Sequence, residues 1–251
     1  MPKTHNELTR AQTWFLKTTW SYDPVGNRLS EASPFGVTNY TYDASDRLLK
    51  AGARTFAYDA DGNQSSVTDA FTHLKRTYAF DAANRLVSVD GGLTSSFNYD
   101  GDGNRVSQSG GGWKQAYIND IAAVLPVVLQ DTYSAGSPTS YVYGLNLIES
   151  FQGRDNDFYQ YDGLGSVVQQ TDAAGRPEIT YFYDAWGNSV LPSPPTNPFR
   201  FTGQALDSAT GLYYWTVPSS PFGQGRLLAW RRLDSSVARS IHWSTSVFMA
   251  S

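Results

Sequence analysis

Short segments in which aromatic and polar residues alternate recur along this chain. Asn39-Tyr40-Thr41-Tyr42 and Phe97-Asn98-Tyr99 are two of them, and their period of two is typical of half-buried β-strands. Each segment ends at an Asp, which can open a turn by accepting hydrogen bonds from backbone N–H groups ahead of it. Segments of the Arg-Leu-x-Ser-Val type follow and predict the returning strand. The pattern therefore predicts a series of β-hairpins that are stable only when stacked on their neighbours.

The dipeptide Tyr-Asp marks the end of these segments six times, and Phe80-Asp81 is an aromatic variant. The first five copies lie 20, 16, 22 and 19 residues apart, which predicts an array of equivalent units. The full pattern is aromatic, any residue, aromatic, Asp, two variable residues, Gly, Asn, Arg and an apolar residue. In two copies we expect the Gly-Asn pair to be reduced to one residue, Asp46 or Asn84, because both types tolerate the left-handed conformation. The positions that we assign to this motif are Tyr22, Asp23, Gly26, Arg28, Tyr42, Asp43, Arg47, Tyr58, Asp59, Gly62, Phe80, Asp81, Arg85, Tyr99, Asp100, Gly103, Arg105, Tyr161, Asp162, Gly165, Tyr183, Asp184 and Gly187.

A row of repeated aspartates could be catalytic or metal-binding, but every copy lies beside turn residues, which favours a structural role. Two turns, Asp59-x-Asp61-x-Asn63 and Asp100-x-Asp102-x-Asn104, resemble the start of an EF-hand loop. An EF-hand also needs Gly at its sixth position and Glu at its twelfth. Those positions hold Gln64 and Ala70 in one turn and Arg105 and Gly111 in the other. The three histidines have no recognisable spacing, so we predict no catalytic residue, no metal site and no cofactor.

Composition agrees with an all-β fold, since 14% of the 251 residues are aromatic, only 17% are charged, and 22 are Gly. A net charge of −4 gives no electrostatic footprint for nucleic acid. The absence of cysteine excludes disulfides and thiolate metal sites. The longest apolar run, Ile121 to Leu129, is too short to span a bilayer and contains Pro126. The first residues lack an apolar stretch of signal-peptide type.

The second half of the chain carries more specific motifs. They are Gln160-Tyr161-Asp162-Gly163-Leu164-Gly165-Ser166-Val167, Tyr181-Phe182-Tyr183-Asp184-Ala185-Trp186-Gly187-Asn188, Asn197-Pro198-Phe199-Arg200-Phe201-Thr202-Gly203-Gln204 and Thr210-Gly211-Leu212-Tyr213-Tyr214. These motifs resemble the repeat-associated core region of the Rhs proteins, also called YD-repeat proteins, whose repeats are shared with the animal teneurins. Trp14 to Val106 resembles the repeats themselves, so the resemblance covers roughly residues 14–214.

This resemblance implies a long β-sheet strip of stacked hairpins that spirals into a hollow shell, of which this chain would form an open fragment. The cargo of such bacterial shells is typically a C-terminal toxin, delivered in contact-dependent antagonism by secreted or cell-surface proteins. The implied partners are further Tyr-Asp repeats, in a longer chain or a neighbouring gene product, and a toxin cargo. Neither nucleic acid nor a membrane span is expected.

The match to the family ends after Tyr214. The family continues with an Ala-Arg-Tyr-Tyr-Asp-Pro segment and soon a second Asp-Pro, but here Ser220-Pro221 and Arg231-Arg232 stand at those places. Some members release their toxin through aspartates of this region. Because other residues stand at the expected Asp positions in this chain, we assign no self-cleaving activity and expect a non-enzymatic protein. We expect the tail to be divergent or frame-altered, disordered beyond Arg232, and too short for a toxin, so that the chain is truncated and lacks its own cargo.

We therefore predict four regions: an N-terminal extension (1–13), Tyr-Asp hairpins (14–112), a core-associated β region (113–214) and the tail (215–251). Gly110-Gly111-Gly112 is the expected loop between the two β regions, and Pro192 to Pro198 an irregular connector. One alternative function is a cell-surface module that binds carbohydrate or a partner through exposed aromatics, including Tyr40. Another is a hydrolase, which requires two of the repeated aspartates to face each other in a cleft at roughly 5–10 Å.

Overall fold

The computed structural model is all-β, which confirms the predicted fold class, and the hairpins predicted from the alternating segments form one sheet. It describes residues 10–13, 16–91, 94–122, 126–134, 136–184, 187–189, 197–207, 211–214 and 230–231. Eighteen strands follow one another along the chain. They are β1 (Arg10–Thr13), β2 (Leu16–Tyr22), β3 (Arg28–Ser33), β4 (Gly36–Tyr42), β5 (Leu48–Ala51), β6 (Arg54–Tyr58), β7 (Gln64–Asp69), β8 (Lys75–Phe80), β9 (Leu86–Asp90), β10 (Ser95–Tyr99), β11 (Arg105–Gly110), β12 (Trp113–Asp120), β13 (Val127–Tyr133), β14 (Thr139–Tyr143), β15 (Leu147–Gln152), β16 (Asp155–Tyr161), β17 (Val167–Thr171) and β18 (Pro177–Thr180).

Each of these strands pairs antiparallel with the next one in sequence, so the chain builds a strip by adding hairpins. Among the described strands no register joins β1 to β18, and the strip is therefore open, as predicted. The turns of such a meander lie along two opposite edges of the strip, at the two ends of its strands. We call the edge that carries the Tyr-Asp turns the turn edge, and the opposite edge the return edge.

The return edge is made mostly of short turns, and one of them lies where we expected a loop between two regions. Gly110 is the last residue of β11, and Gly111 and Gly112 form a tight turn into β12. The sheet continues across this point because β11 and β12 are paired from Ser107 to Gly110. The boundary at residues 112 and 113 stays a prediction, and no break in the sheet accompanies it.

A small second sheet follows the strip. It consists of β19 (Ala205–Asp207), β20 (Leu212–Tyr214) and β21 (Trp230–Arg231), preceded by one 3-10 turn at Phe201–Gly203. The predicted connector Pro192 to Pro198 is described only at residues 197 and 198, and the tail beyond Arg232 lies outside the described residues. The part of the chain that the structure covers contains no helix that is long and apolar enough to cross a membrane.

One face of the strip forms two hydrophobic clusters. Cluster 1 belongs mainly to the first hairpins and consists of Tyr40, Leu48, Ala51, Phe56, Val67, Tyr78, Leu86, Val89, Phe97 and Leu212. Cluster 2 belongs to the later hairpins and consists of Tyr141, Leu147, Tyr159, Val167 and Tyr181. Leu212, from the small second sheet, packs into cluster 1. The C-terminal motif therefore contributes to the core of hairpins that lie more than a hundred residues earlier in the sequence.

Candidate functional site

The repeated aspartates lie at the turn edge, each inside its own turn. Asp23 shows the geometry: its Oδ1 accepts the N–H groups of Val25 and Asn27 at 3.1 and 2.7 Å. Its Oδ2 accepts the side-chain amide of Asn27 at 3.0 Å. The same two backbone bonds, from the second and fourth residues after the Asp, occur at Asp43, Asp59, Asp81, Asp100 and Asp162. Asp184 accepts hydrogen bonds from the backbone N–H and the side-chain amide of Asn188.

These hydrogen bonds keep several of the carboxylates ionised. Burial raises the pKa of Asp23, Asp59, Asp81 and Asp100, but the bonds from the fourth residue and its neighbours outweigh it, so each pKa lies below the usual value. At Asp43 the backbone N–H of Arg47 is the main cause of a lowered pKa. Carboxylates held this way are poor general acids, because a general acid needs a pKa near the working pH.

The described residues do not bring the repeated aspartates into a shared cluster. Each is engaged by its own turn, and within the described ranges no group of three or more His, Cys, Asp or Glu side chains could hold a metal ion. The paired-carboxylate geometry on which the hydrolase alternative depends has no support in these contacts. The turn geometry instead shows how the Asp closes each hairpin: it satisfies backbone donors that would otherwise face solvent at the edge.

The turns are of two types, and the structure corrects the expectation that two of them are shorter. The backbone N–H of Asp43 donates to the carbonyl of Arg47, as that of Asp23 does to Asn27, so both turns have the same length. Asp46 occupies the place of Gly26, with φ of 59°, and Arg47 the place of Asn27. Asn84 and Arg85 make the same replacement, with φ of 59° at Asn84. Among the first five copies, turns with Gly-Asn thus alternate with turns with Asp-Arg or Asn-Arg.

Neighbouring turns are linked by this alternation. Asn27 donates through its side-chain amide to Asp46 Oδ1 at 2.7 Å, in the next turn along the edge. Asn63 donates in the same way to Asn84 Oδ1 at 2.8 Å. Gly cannot accept such a bond, so the acceptor exists only in the second turn type. We call these linked pairs of turns the turn ladder, and its repeating unit is a pair of hairpins.

The arginines assigned to one motif position in fact occupy two. Arg47 and Arg85 stand fourth after the Asp and pair with its Oδ2 at 2.7 Å, and their guanidinium groups lie over the ring of the next Tyr. Arg28 and Arg105 stand fifth after the Asp, and each begins a strand. Two other copies have Leu48 and Leu86 at this fifth position, and both are buried in the core. Arg28 and Arg105 are accordingly buried over aromatic rings. The fifth position is a core position.

The two aromatics of each motif also differ. The first is buried, as at Tyr40, Phe56, Tyr78, Phe97 and Tyr159. The second is half-buried, and in five copies its hydroxyl donates to a carbonyl at the start of the preceding strand. These bonds run from Tyr42 to Arg28, from Tyr58 to Leu48, from Tyr99 to Leu86, from Tyr161 to Leu147 and from Tyr183 to Val167, at 2.6 to 2.9 Å. Burial accordingly raises the pKa of Tyr58 and Tyr161 to about 12.

Arg105 also joins the strip to the small second sheet. Its guanidinium lies 4.3 Å from the ring centre of Tyr214 and 5.1 Å from that of Tyr117. Its Nη1 is 3.7 Å from Asp207 Oδ2, and the side chains of Arg105 and Asp207 are only 9% and 2% exposed. The motif alone makes Arg105 one repeat arginine among several. Its position at the start of a strand is the sequence signal that it faces the core.

Gly187, in the last Tyr-Asp turn after β18, is a second point at which the C-terminal residues contact an earlier part of the chain. It has φ of 80°, and the ring of Phe201 occupies the space that a Cβ would need. Tyr213 donates to the carbonyl of Gly187 at 3.4 Å. The last Tyr-Asp turn is therefore covered by residues of the following motif.

Comparison with known proteins agrees with this architecture. The family model described as Teneurin YD-shell matches residues 4–217. The tRNA3(Ser)-specific nuclease WapA of Bacillus spizizenii is 30% identical over an alignment of 210 residues, which covers 78% of this chain and 9% of that protein. Double-stranded DNA deaminase toxin A of Burkholderia cenocepacia is 25% identical, over 79% of this chain and 18% of that protein.

Among solved structures, a chain of the Photorhabdus luminescens Tc holotoxin pore is similar with a TM-score of 0.44 and 15% identity, covering 86% of this chain and 16% of that one. The chain thus spans less than a fifth of the length of each of these proteins. The matched region includes the Tyr-Asp turns, the core-associated motifs and the Gly-Leu-Tyr-Tyr segment. The chain belongs to the Teneurin YD-shell family.

Proposed function

We propose that this chain forms part of the wall of an Rhs-type shell that encloses or presents a C-terminal toxin in contact-dependent antagonism. Its role is structural, its place is outside the cell or at the cell surface, and its partners are further Tyr-Asp hairpins and the toxin. That the chain is truncated and lacks a toxin of its own stays a prediction.

The observation that supports this proposal is the turn ladder. It links hairpins in pairs through side chains of the protein itself. Further hairpins can extend a strip built this way at its first and last strands. β1 and β18 each leave one side without a partner among the described strands. The relatives named as a nuclease and a deaminase toxin are much longer than this chain, which agrees with a common wall joined to different toxins.

The alternative in which exposed aromatics bind carbohydrate or a partner has less support. It requires the repeated tyrosines to lie exposed in a row. Tyr40 is only 4% exposed, and Tyr42, Tyr99, Tyr161 and Tyr183 are half-buried with their hydroxyls bonded to backbone carbonyls. Their ring faces and hydroxyls are thus used inside the protein.

The test is protection of a cargo from protease. The full chain is co-expressed with the segments encoded directly before and after it, and the following segment is digested in the assembly and alone. Enclosure predicts slower digestion in the assembly. Phe56→Asp, which places a charge at a buried position, should abolish the protection, whereas Thr55→Asp at the adjacent exposed position should retain it. Equal digestion of the segment with and without the strip would overturn the proposal.

A further inference from the structure

A row of buried polar side chains runs across the strip between the two hydrophobic clusters. Gln108 donates through Nε2 to Gln115 Oε1 at 2.8 Å, and Gln115 donates through Nε2 to Asp131 Oδ2 at 2.9 Å. The Tyr141 hydroxyl donates to the same Oδ2 at 2.9 Å. These four side chains belong to residues that are 4–6% exposed, and they cross β11, β12, β13 and β14. We call this row the polar seam.

The seam couples the two halves of the strip. Tyr141 is a member of cluster 2, whereas β11, which carries Gln108, pairs with β10, whose Phe97 belongs to cluster 1. Asp131 lies between the two clusters and is the residue of the seam that can change its charge near or below neutral pH.

The partners of Asp131 are neutral groups. The titratable side chains around it are tyrosines: Tyr141 on β14 is hydrogen-bonded, and Tyr117 on β12, Tyr133 on β13 and Tyr143 on β14 interact with it electrostatically. The other charges that act on Tyr117 and Tyr133 are those of Arg105 and Asp207, which pair with each other. Within the described residues the ion pairs do not include Asp131.

A carboxylate buried among neutral partners is costly, since charge is stabilised far better by water or by a cation. Both donors reach one oxygen, and a proton on the carboxyl group would remove the charge while leaving that oxygen able to accept. Burial raises the pKa of Asp131 above its usual value of 3.8, and the bonds from Tyr141 and Gln115 oppose this only in part.

We propose that Asp131 controls the packing between the two halves of the strip by its protonation. The protonated carboxyl group stabilises the polar seam, and the ionised carboxylate destabilises it. A group whose pKa is raised by folding stabilises the fold fully below its unfolded value, and this contribution is lost as the pH rises through the folded value. The contribution of Asp131 to the stability of the strip should therefore be greatest in acidic solution, and it should fall as the pH rises from the usual value of 3.8 through the folded value.

A second carboxyl group must be separated from Asp131 in any test. Burial and the neighbouring Glu178 raise the pKa of Asp157, on β16, to about 6. It lies in the later part of the strip and would give a pH dependence of the same sign. Asp157→Asn therefore serves as the matched control for Asp131→Asn, because each replacement removes one titrating group and retains an amide oxygen that can accept a hydrogen bond.

The experiment measures the Tm of the full chain and hydrogen exchange of its peptides between about pH 4 and pH 8 for wild type, Asp131→Asn and Asp157→Asn. Relative to Asp131→Asn, the wild type should become less stable as the pH rises over this range, because only the wild type carries the buried titrating group. After correction for the intrinsic exchange rate, the peptides of β12, β13 and β14 should become less protected at high pH only when Asp131 is present. Asp157→Asn should keep this local response.

The same pH dependence in wild type and Asp131→Asn would overturn the proposal, as would a loss of protection that spares β12, β13 and β14. If Asp131→Asn fails to fold, Tyr141→Phe tests the same group. It removes a donor that favours the charged form, so the midpoint of the local pH response should move to higher pH. An unchanged midpoint of the local pH response in Tyr141→Phe would also overturn the proposal.

Discussion

The contact between Arg105 and Asp207 gives the sharpest prediction about stability. Replacing Arg105 by Met keeps a long apolar stem on the surrounding rings but removes the cation beside a carboxylate that is 2% exposed. Taking one partner from a buried ion pair costs about 3–5 kcal/mol, because a buried charge loses its compensation. For a protein of this size the Tm should fall by about 6–20 °C, since 1 kcal/mol corresponds to about 2–4 °C.

Two further variants test whether the loss comes from the uncompensated charge. In the double variant Arg105→Met with Asp207→Asn, both charges are absent, and most of the lost stability should return, because replacing both partners of a buried pair is close to neutral. Arg47→Met is the control: its pair with Asp43 is shorter, at 2.7 Å, but 35% and 20% exposed. An exposed pair contributes about 0–1 kcal/mol, so this variant should change stability little.

The assays are thermal unfolding, which gives the Tm, and denaturant unfolding followed by tryptophan fluorescence, in which the midpoint should move while the slope stays unchanged. Hydrogen exchange should show that β19 and β20 open before the strip in Arg105→Met. The reasoning is refuted if Arg105→Met costs no more than Arg47→Met, or if adding Asp207→Asn to it gives no recovery.

Three smaller predictions concern the turn edge. Asn63→Ala removes two described side-chain bonds and Asn104→Ala only one, so the first should cost about 1 kcal/mol more in denaturant unfolding. Gly62→Ala should cost about 1–2 kcal/mol because φ is +85°, whereas Gly62→Asn should cost less and Gly101→Ala, without a positive φ, almost nothing. The pKa of Asp100 is lowered by folding, so its contribution is present above the usual value and is lost as the pH falls through the folded value. Asp100→Asn should therefore be less stable than wild type at neutral pH, and the difference should shrink in a circular dichroism titration to about pH 2.

Features that depend on neighbouring residues could be predicted from the sequence. The alternating segments and the turn residues after each Asp identified the hairpins, and Asp46 and Asn84 have the left-handed backbone that their residue types favour. The all-β strip follows from these local preferences together with the family resemblance. The structural role assigned to the motif residues stays a prediction, although the hydrogen bonds of the repeated aspartates lie within their own turns.

Features that depend on distant residues could not be predicted. Aligning Arg47 with Arg28 by residue type concealed the fact that one lies at the turn edge and the other begins a strand. Arg105 meets Asp207 and Tyr214 across about a hundred residues, and nothing near Arg105 in the sequence indicates those partners. The polar seam could not be predicted for the same reason. Gln115 and Asp131 are brought together by the register of β12 against β13, which the local sequence does not indicate.

The alternation of turn types has a consequence for how such a wall changes its length. Asp23 and Asp59 belong to equivalent turns 36 residues apart, and Asp59 and Asp100 to equivalent turns 41 residues apart. Deleting a single hairpin would bring two Gly-Asn turns side by side, and Asn27 would then face Gly62, which has no side chain to accept its bond. Deleting two hairpins would restore the match. Duplications and deletions in genes of this kind should therefore be tolerated best in blocks of about forty residues.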